Sequence, residues 1–278
     1  MKRKPFAVLI FALTLVSFAG LQAAELKLVL PSDYQVVQRR TLREGMLRIV
    51  GTLSGGAAVG DAFEVQVGAE AAWRPLVVKR EGERFSGEVV APAGGWHRVE
   101  VRVKLMGQIT ASASVGHVGV GEVFVVAGQS SSANHGEEKQ VTQSGRVAAF
   151  DGSAWQLAND PQPGASGRGG SFMPPLGDAL VKQFDVPVGF IACGIGATSV
   201  REWLPKGATF PNPPTILSRV EQLADGQWAS KGAAYEAFIA RLKSAGPRGF
   251  RARRFGRIFR FFGSLRHWPM NMGRVRRR

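Results

Sequence analysis

The 278-residue chain has a single cysteine, Cys193, so no internal disulfide can form and an oxidising compartment would add nothing to its stability. That thiol is expected to pack as a small apolar side chain rather than to react. Groups of His, Cys, Asp and Glu at metal-ligand spacing are missing as well, and no metal or organic cofactor is implied. Acidic residues give out before the end: from Gly246 onward there is no Asp, Glu or Lys, but eleven arginines. This decides the meaning of the net charge of +15, which would otherwise point to nucleic acid. Without those arginines and Lys2, Arg3 and Lys4 the body is nearly neutral, so nucleic acid is not an expected partner. Long apolar runs are also scarce, and Phe6 to Phe18 is short for a membrane span.

What is present describes a globular, turn-rich chain, 45% hydrophobic with 35 glycines, long enough for one or two domains with ample core. Met1-Lys2-Arg3-Lys4, the apolar run after it and the small residues Ala19 to Ala24 read as a secretory signal peptide over 1–24. Cleavage is expected after Ala23 or Ala24. The expected location is secreted or periplasmic, with no membrane association after signal removal.

Residues 25–118 read as short strands separated by turns. Leu26–Leu30, Met46–Thr52, Ala62–Val67, Trp73–Lys79, Phe85–Val90 and His97–Lys104 alternate or are β-branched, and Gly55-Gly56, Gly60-Asp61, Glu81-Gly82 and Gly94-Gly95 punctuate them. A small antiparallel β-sandwich is predicted. From Gly119 the pattern becomes strand, turn, helix. Leu176–Phe184 suits an amphipathic helix with Leu176, Leu180 and Val181 on one face, and it feeds a strand over Val186–Ala192. Helices are also predicted at Ile216–Leu223 and at Ala233–Leu242, and a Gly-, Pro- and Ser-rich loop at Asp151–Gly170.

The most informative stretch is Val120-Gly121-Glu122-Val123-Phe124-Val125-Val126-Ala127-Gly128-Gln129-Ser130. A β-type run stops at a glycine and delivers Ser130 where the chain must turn, the place where α/β sheets carry reactive groups. The polar residues that follow can open a helix whose N–H groups would favour negative charge beside the serine. An ordinary turn of Gly-x-Ser composition is the alternative.

This stretch resembles the first motif block of the SGNH (GDSL-type) hydrolases, in the form used by sialate O-acetylesterase-like carbohydrate esterases. There a Gly-Glu-Val-Trp strand leads into Gly-Gln-Ser-Asn, and the serine is the nucleophile. Gly121-Glu122-Val123-Phe124 and Gly128-Gln129-Ser130 match, and Ser131 stands where the family has asparagine. Val186-Pro187-Val188-Gly189-Phe190-Ile191 followed by Gly196-Ala197-Thr198 and Trp203 is similar to the second block, with Ala197 on a glycine position. Two further stretches, Val36-Val37-Gln38-Arg39 and Gly94-Gly95-Trp96-His97, resemble the family's N-terminal β-domain.

The resemblance implies an α/β fold: an SGNH-hydrolase-like three-layer domain over 119–252, incomplete, preceded by the β-sandwich domain. It implies catalytic roles for Ser130, as nucleophile, and Gly196, whose N–H with that of Ser130 would hold an oxyanion. The partner would be an acetylated sugar or glycan. The third family block and the Asp-x-x-His that activates the serine do not follow Gly246-Pro247-Arg248-Gly249-Phe250-Arg251-Ala252. None of His97, His117, His135 and His267 lies in an Asp-x-x-His, and His135, on the same short turn as Ser130, is not expected to substitute. A change of reading frame near Ala252, making 253–278 an out-of-frame tail, would explain the arginine excess and the missing blocks together; a genuine basic tail is the alternative. Activity is expected to be impaired, and a non-catalytic glycan-binding or remnant module is the competing reading.

Overall fold

The computed structural model describes residues 24–55, 62–69, 72–245 and 250. The expected signal peptide (bar Ala24), Gly56, Gly60 and Asp61, His267, the frame change near Ala252 and the arginine-rich tail lie outside the described residues.

The fold is mixed α/β and mostly sheet, with two α-helices among the described residues. The strands are β1 (Glu25–Leu30), β2 (Gln35–Gln38), β3 (Glu44–Ser54), β4 (Ala62–Val67), β5 (Arg74–Pro75), β6 (Val78–Glu81), β7 (Arg84–Pro92), β8 (Gly94–Leu105), β9 (Gln108–Val126), β10 (Val147–Phe150), β11 (Trp155–Leu157), β12 (Val188–Ala192), β13 (Thr209–Phe210), β14 (Val220–Gln222) and β15 (Trp228–Ser230). The helices are α1 (Met173–Phe184) and α2 (Ala233–Ser244). One antiparallel sheet runs β1-β3-β7-β6; a larger sheet runs β11-β10-β12-β9-β8-β4-β5, with β2 also on β9; and β13-β15-β14 form a small third sheet.

The first two sheets face each other across an apolar core. Leu47, Ile49, Leu53 and Phe85 from one meet Phe63, Val65, Val99, Val101 and Val118 from the other. Strict alternation puts these residues inward, and burying one such side chain contributes roughly 1.5–3 kcal/mol. The predicted strand Trp73–Lys79 proves to be two short ones in different sheets, because it crosses from β4's edge to that of β7.

The larger sheet does not stop with the sandwich. β9 is 19 residues long. Over Gln108–Val120 one of its edges pairs antiparallel with β8. It also pairs in parallel with β2 over Val118–Gly121 and with β12 over Glu122–Val126. The change of pattern at Gly119 therefore falls inside one continuous strand. Beyond it β9, β12 and β10 form a parallel trio. Phe124, Val126, Val188 and Phe190 pack with Met173 and Val181 of α1, while Val123, Ile191 and Cys193 share a cluster with Trp203, Ala234 and Phe238 on the α2 side. All five residues of β12 are buried, as a strand covered on both faces requires.

α1 begins three residues before the predicted start, since Pro174 and Pro175 sit in the first turn, where no N–H partner is needed. α2 lies where predicted, with Ala234 and Leu242 buried. Ile216–Leu223 is not a helix. It forms a short 3-10 turn, Leu217–Arg219, and strand β14, which returns through Asp225-Gly226 to pair with β15. The hairpin wins because Gly226 adopts φ +81° and Val220 alone of its strand faces inward.

Candidate functional site

β2 and β9 are locked at the point where the two β regions merge. Glu122 is fully buried, and its Oε1 accepts from both Nε and Nη2 of Arg39 at 2.9 Å. Gln38 Nε2 donates to Oε2 of the same carboxylate at 3.0 Å, and Gln38 Oε1 accepts from the Val123 N–H at 2.9 Å. Two stretches far apart in sequence, Gln38-Arg39 and Gly121-Glu122-Val123, thus form one buried polar knot. Gly121 is glycine because the Pro187 carbonyl occupies the space that a Cβ would take.

Past the ends of β9 and β12 the chain forms two loops in direct contact. The Cys193 N–H donates to the Val126 carbonyl at 2.8 Å and the Ile195 N–H to the Gly128 carbonyl at 2.9 Å. A third segment lies against both. Gly136 and Gly170 exchange backbone hydrogen bonds of 2.9 and 2.8 Å, the Ser166 N–H donates to the Gly194 carbonyl at 2.8 Å, and buried Asn134 clamps the backbone of Gln162 through both its amide atoms. Asp160 braces that segment by accepting from the Ser171 N–H and hydroxyl.

Ser130, half-buried, opens a three-residue 3-10 turn, Ser130–Ser132, and not a helix. The macrodipole expected beside it is therefore absent: the turn is too short to sum peptide dipoles. Its Oγ donates to Gln129 Oε1 at 2.5 Å. Gly196 N–H donates to Ser166 Oγ at 2.7 Å. The His135 imidazole lies against Gly196, in the space that a Cβ there would take. His135 is exposed and lines, with Ser130 and Ser131, a cavity of about 400 Å³ that also includes Glu137, Glu138 and Phe172.

The second loop holds its shape through side chains spaced as the sequence shows. Trp203 Nε1 donates to Thr198 Oγ1 at 2.9 Å, and that hydroxyl donates to the Ile195 carbonyl at 2.7 Å. Ser199 and Glu202 form a capping box under the next turn. Ala197 adopts φ +55°, a conformation glycine takes at no cost. Cys193 is buried, and burial pushes its thiol up, against the opposing pull of the Arg241 guanidinium. Trp96, half-buried, donates its indole N–H to the Gly145 carbonyl, and Trp73 lies under the Arg102 guanidinium.

No protein-family model matches the chain, and no curated protein matches it. It is similar in structure to a carbohydrate acetylesterase of Xanthomonas citri. The likeness has a TM-score of 0.37 at 17% identity and covers 63% of this chain. The chain spans about two fifths, 41%, of that protein's length.

Sequence reasoning singled out Ser130 and Gly196 but passed over their immediate partners, Gln129 and Ser166. Gln129 was legible within the motif itself. Ser166 sits in a loop rich in Gly, Pro, Ser and Asn, which marks none of its serines above another. The approach of His135 to Gly196 comes from tertiary packing alone, and no local pattern announces it.

Proposed function

We propose that the chain carries the nucleophile half of a carbohydrate O-acetylesterase, a serine hydrolase of the SGNH type acting on acetyl esters of sialic acid or another acetylated sugar. The observation that carries this is the contact between the Ser130 loop and the Gly194–Thr198 loop at the carboxyl ends of two adjacent parallel strands. Ser130 Oγ would attack the acetyl carbonyl carbon, and the oxygen that becomes negative would need donors from the same two loops. Gly196 can supply one only if its N–H exchanges Ser166 Oγ for the oxyanion, a trade of a neutral for a charge-assisted hydrogen bond that favours the latter.

The Ser130 hydroxyl proton goes to a side-chain amide oxygen, which is no base, so the serine's nucleophilicity is that of an ordinary alcohol. A missing triad base costs several orders of magnitude in rate, so turnover is expected to be slow. The same hydrogen bond favours the second reading, a glycan-binding module without turnover. We further propose that the protein is exported.

Hydrolysis of 4-nitrophenyl acetate, measured for the parent chain and for Ser130→Ala, separates the two. A rate above the buffer background that Ser130→Ala abolishes supports the esterase. Equal rates for the two proteins would refute it.

A further inference from the structure

We propose that the cavity beside Ser130 selects acetylated sugars that carry no negative charge, an inference that rests on the esterase reading of that serine. Two carboxylates, Glu137 and Glu138, line the cavity, both exposed, and no Lys or Arg does among the described residues. The segment that holds them is fixed by the paired hydrogen bonds between Gly136 and Gly170, so the charges cannot simply swing away with their backbone. The N–H and hydroxyl of Ser171, on the same rim, both go to Asp160. Arg219 reaches the second loop, where its guanidinium faces the Gly196 carbonyl at 3.4 Å. Phe172, 40% exposed, offers an apolar face to the C–H side of a sugar ring.

A sugar with a carboxylate would thus meet two like charges and no Lys or Arg among the described lining residues. A neutral sugar would find carboxylate acceptors for its hydroxyls. A ligand carboxylate about 7 Å from each of the two glutamates meets two such repulsions, which in water at low salt correspond to a roughly fivefold affinity difference that salt erases.

The test compares O-acetylated sialic acid with its methyl ester, which has the same shape without the charge. Equilibrium binding to the full chain would be measured by calorimetry at 10 mM and 500 mM NaCl, alongside an acetylated methyl glucoside. The expected result is that the ester and the glucoside bind, and that the acid binds about fivefold more weakly at 10 mM. The gap should close at 500 mM and in the Glu137→Gln/Glu138→Gln double variant. Binding of the acid as tight as its ester overturns the proposal, as does a gap indifferent to the double variant or no binding of any of the three. The 4-nitrophenyl acetate assay stands apart from this. Charge selection with no Ser130-dependent hydrolysis would sink the esterase reading, whereas hydrolysis without charge selection would sink only the present inference.

Discussion

Removing the Glu122 carboxylate is the sharpest perturbation of the frame that carries Ser130. The side chains of Glu122 and Arg39 are 1% and 5% exposed, and the carboxylate receives three hydrogen bonds of 2.9 to 3.0 Å from Arg39 and Gln38. In Glu122→Ala the guanidinium stays buried with its charge uncompensated, and Gln38 loses the acceptor that orients it toward Val123. A buried ion pair broken on one side costs about 3–5 kcal/mol. At about 2–4 °C per kcal/mol for a chain of this size, the melting temperature should fall by roughly 6–20 °C. Replacing both partners, Arg39→Met with Glu122→Leu, removes the two charges together and should recover most of the loss, because desolvation of the pair offsets much of its attraction. Urea denaturation followed by circular dichroism on the parent, Arg39→Met, Glu122→Leu and the double variant gives the coupling energy directly. A Glu122→Ala protein within about 1 kcal/mol of the parent, a small loss for a buried charge by the same reasoning, would refute the argument.

Gly121→Ala would drive a methyl into the Pro187 carbonyl, backbone against backbone, and should cost at least about 2 kcal/mol or abolish soluble expression. Ala197→Gly relieves a left-handed residue and should raise stability by about 1 kcal/mol, read as a melting shift of a few degrees. Asp178 is partly desolvated, which alone would raise its carboxyl, but hydrogen bonds from Gln143, Ser144 and Thr142 outweigh that and hold it below the usual carboxylate range. A depressed folded value means the stabilisation is present above the unfolded value and is lost as pH falls through the folded one. Denaturation between pH 6 and pH 2 should therefore show an acid-side loss that Asp178→Asn reduces. Ser166→Ala frees the Gly196 N–H of a hydrogen bond worth about 1 kcal/mol and should raise Ser130-dependent acetate hydrolysis up to about fivefold. A fall instead would show that the Ser166 hydroxyl is itself needed.

The elements that sequence placed well are those whose pattern and environment agree. Leu176, Leu180 and Val181 share a face and meet the sheet, and the strands of the sandwich alternate because only one side of each is covered. Ile216–Leu223 failed because its apolar residues also fit a hairpin, and Asp225-Gly226, the signal that decides between them, lay outside the window. The first half of β9 went unread although Gln108 to Val115 alternates polar and apolar residues, because Ala111 and Ala113 are too small to make that alternation a strong signal and the order comes from the partner β8. At the site, the motif residues were legible because chemistry restricts their types. Their hydrogen-bond partners were not, since Ser166 reaches Gly196 across 30 residues and nothing local requires a serine there.

β9 is also a ruler. Its contour runs up to roughly 60 Å at 3.3 Å per residue, from the hairpin tip at Met106-Gly107 to the threshold of the Ser130 loop. At the tip an added residue lengthens a turn and harms nothing. From Val118 to Val126 neighbours claim the strand, and a single inserted residue would turn every later side chain to the opposite face and carry the serine off its mark. Descendants of this chain can therefore vary at the far end while the stem tolerates no change of length.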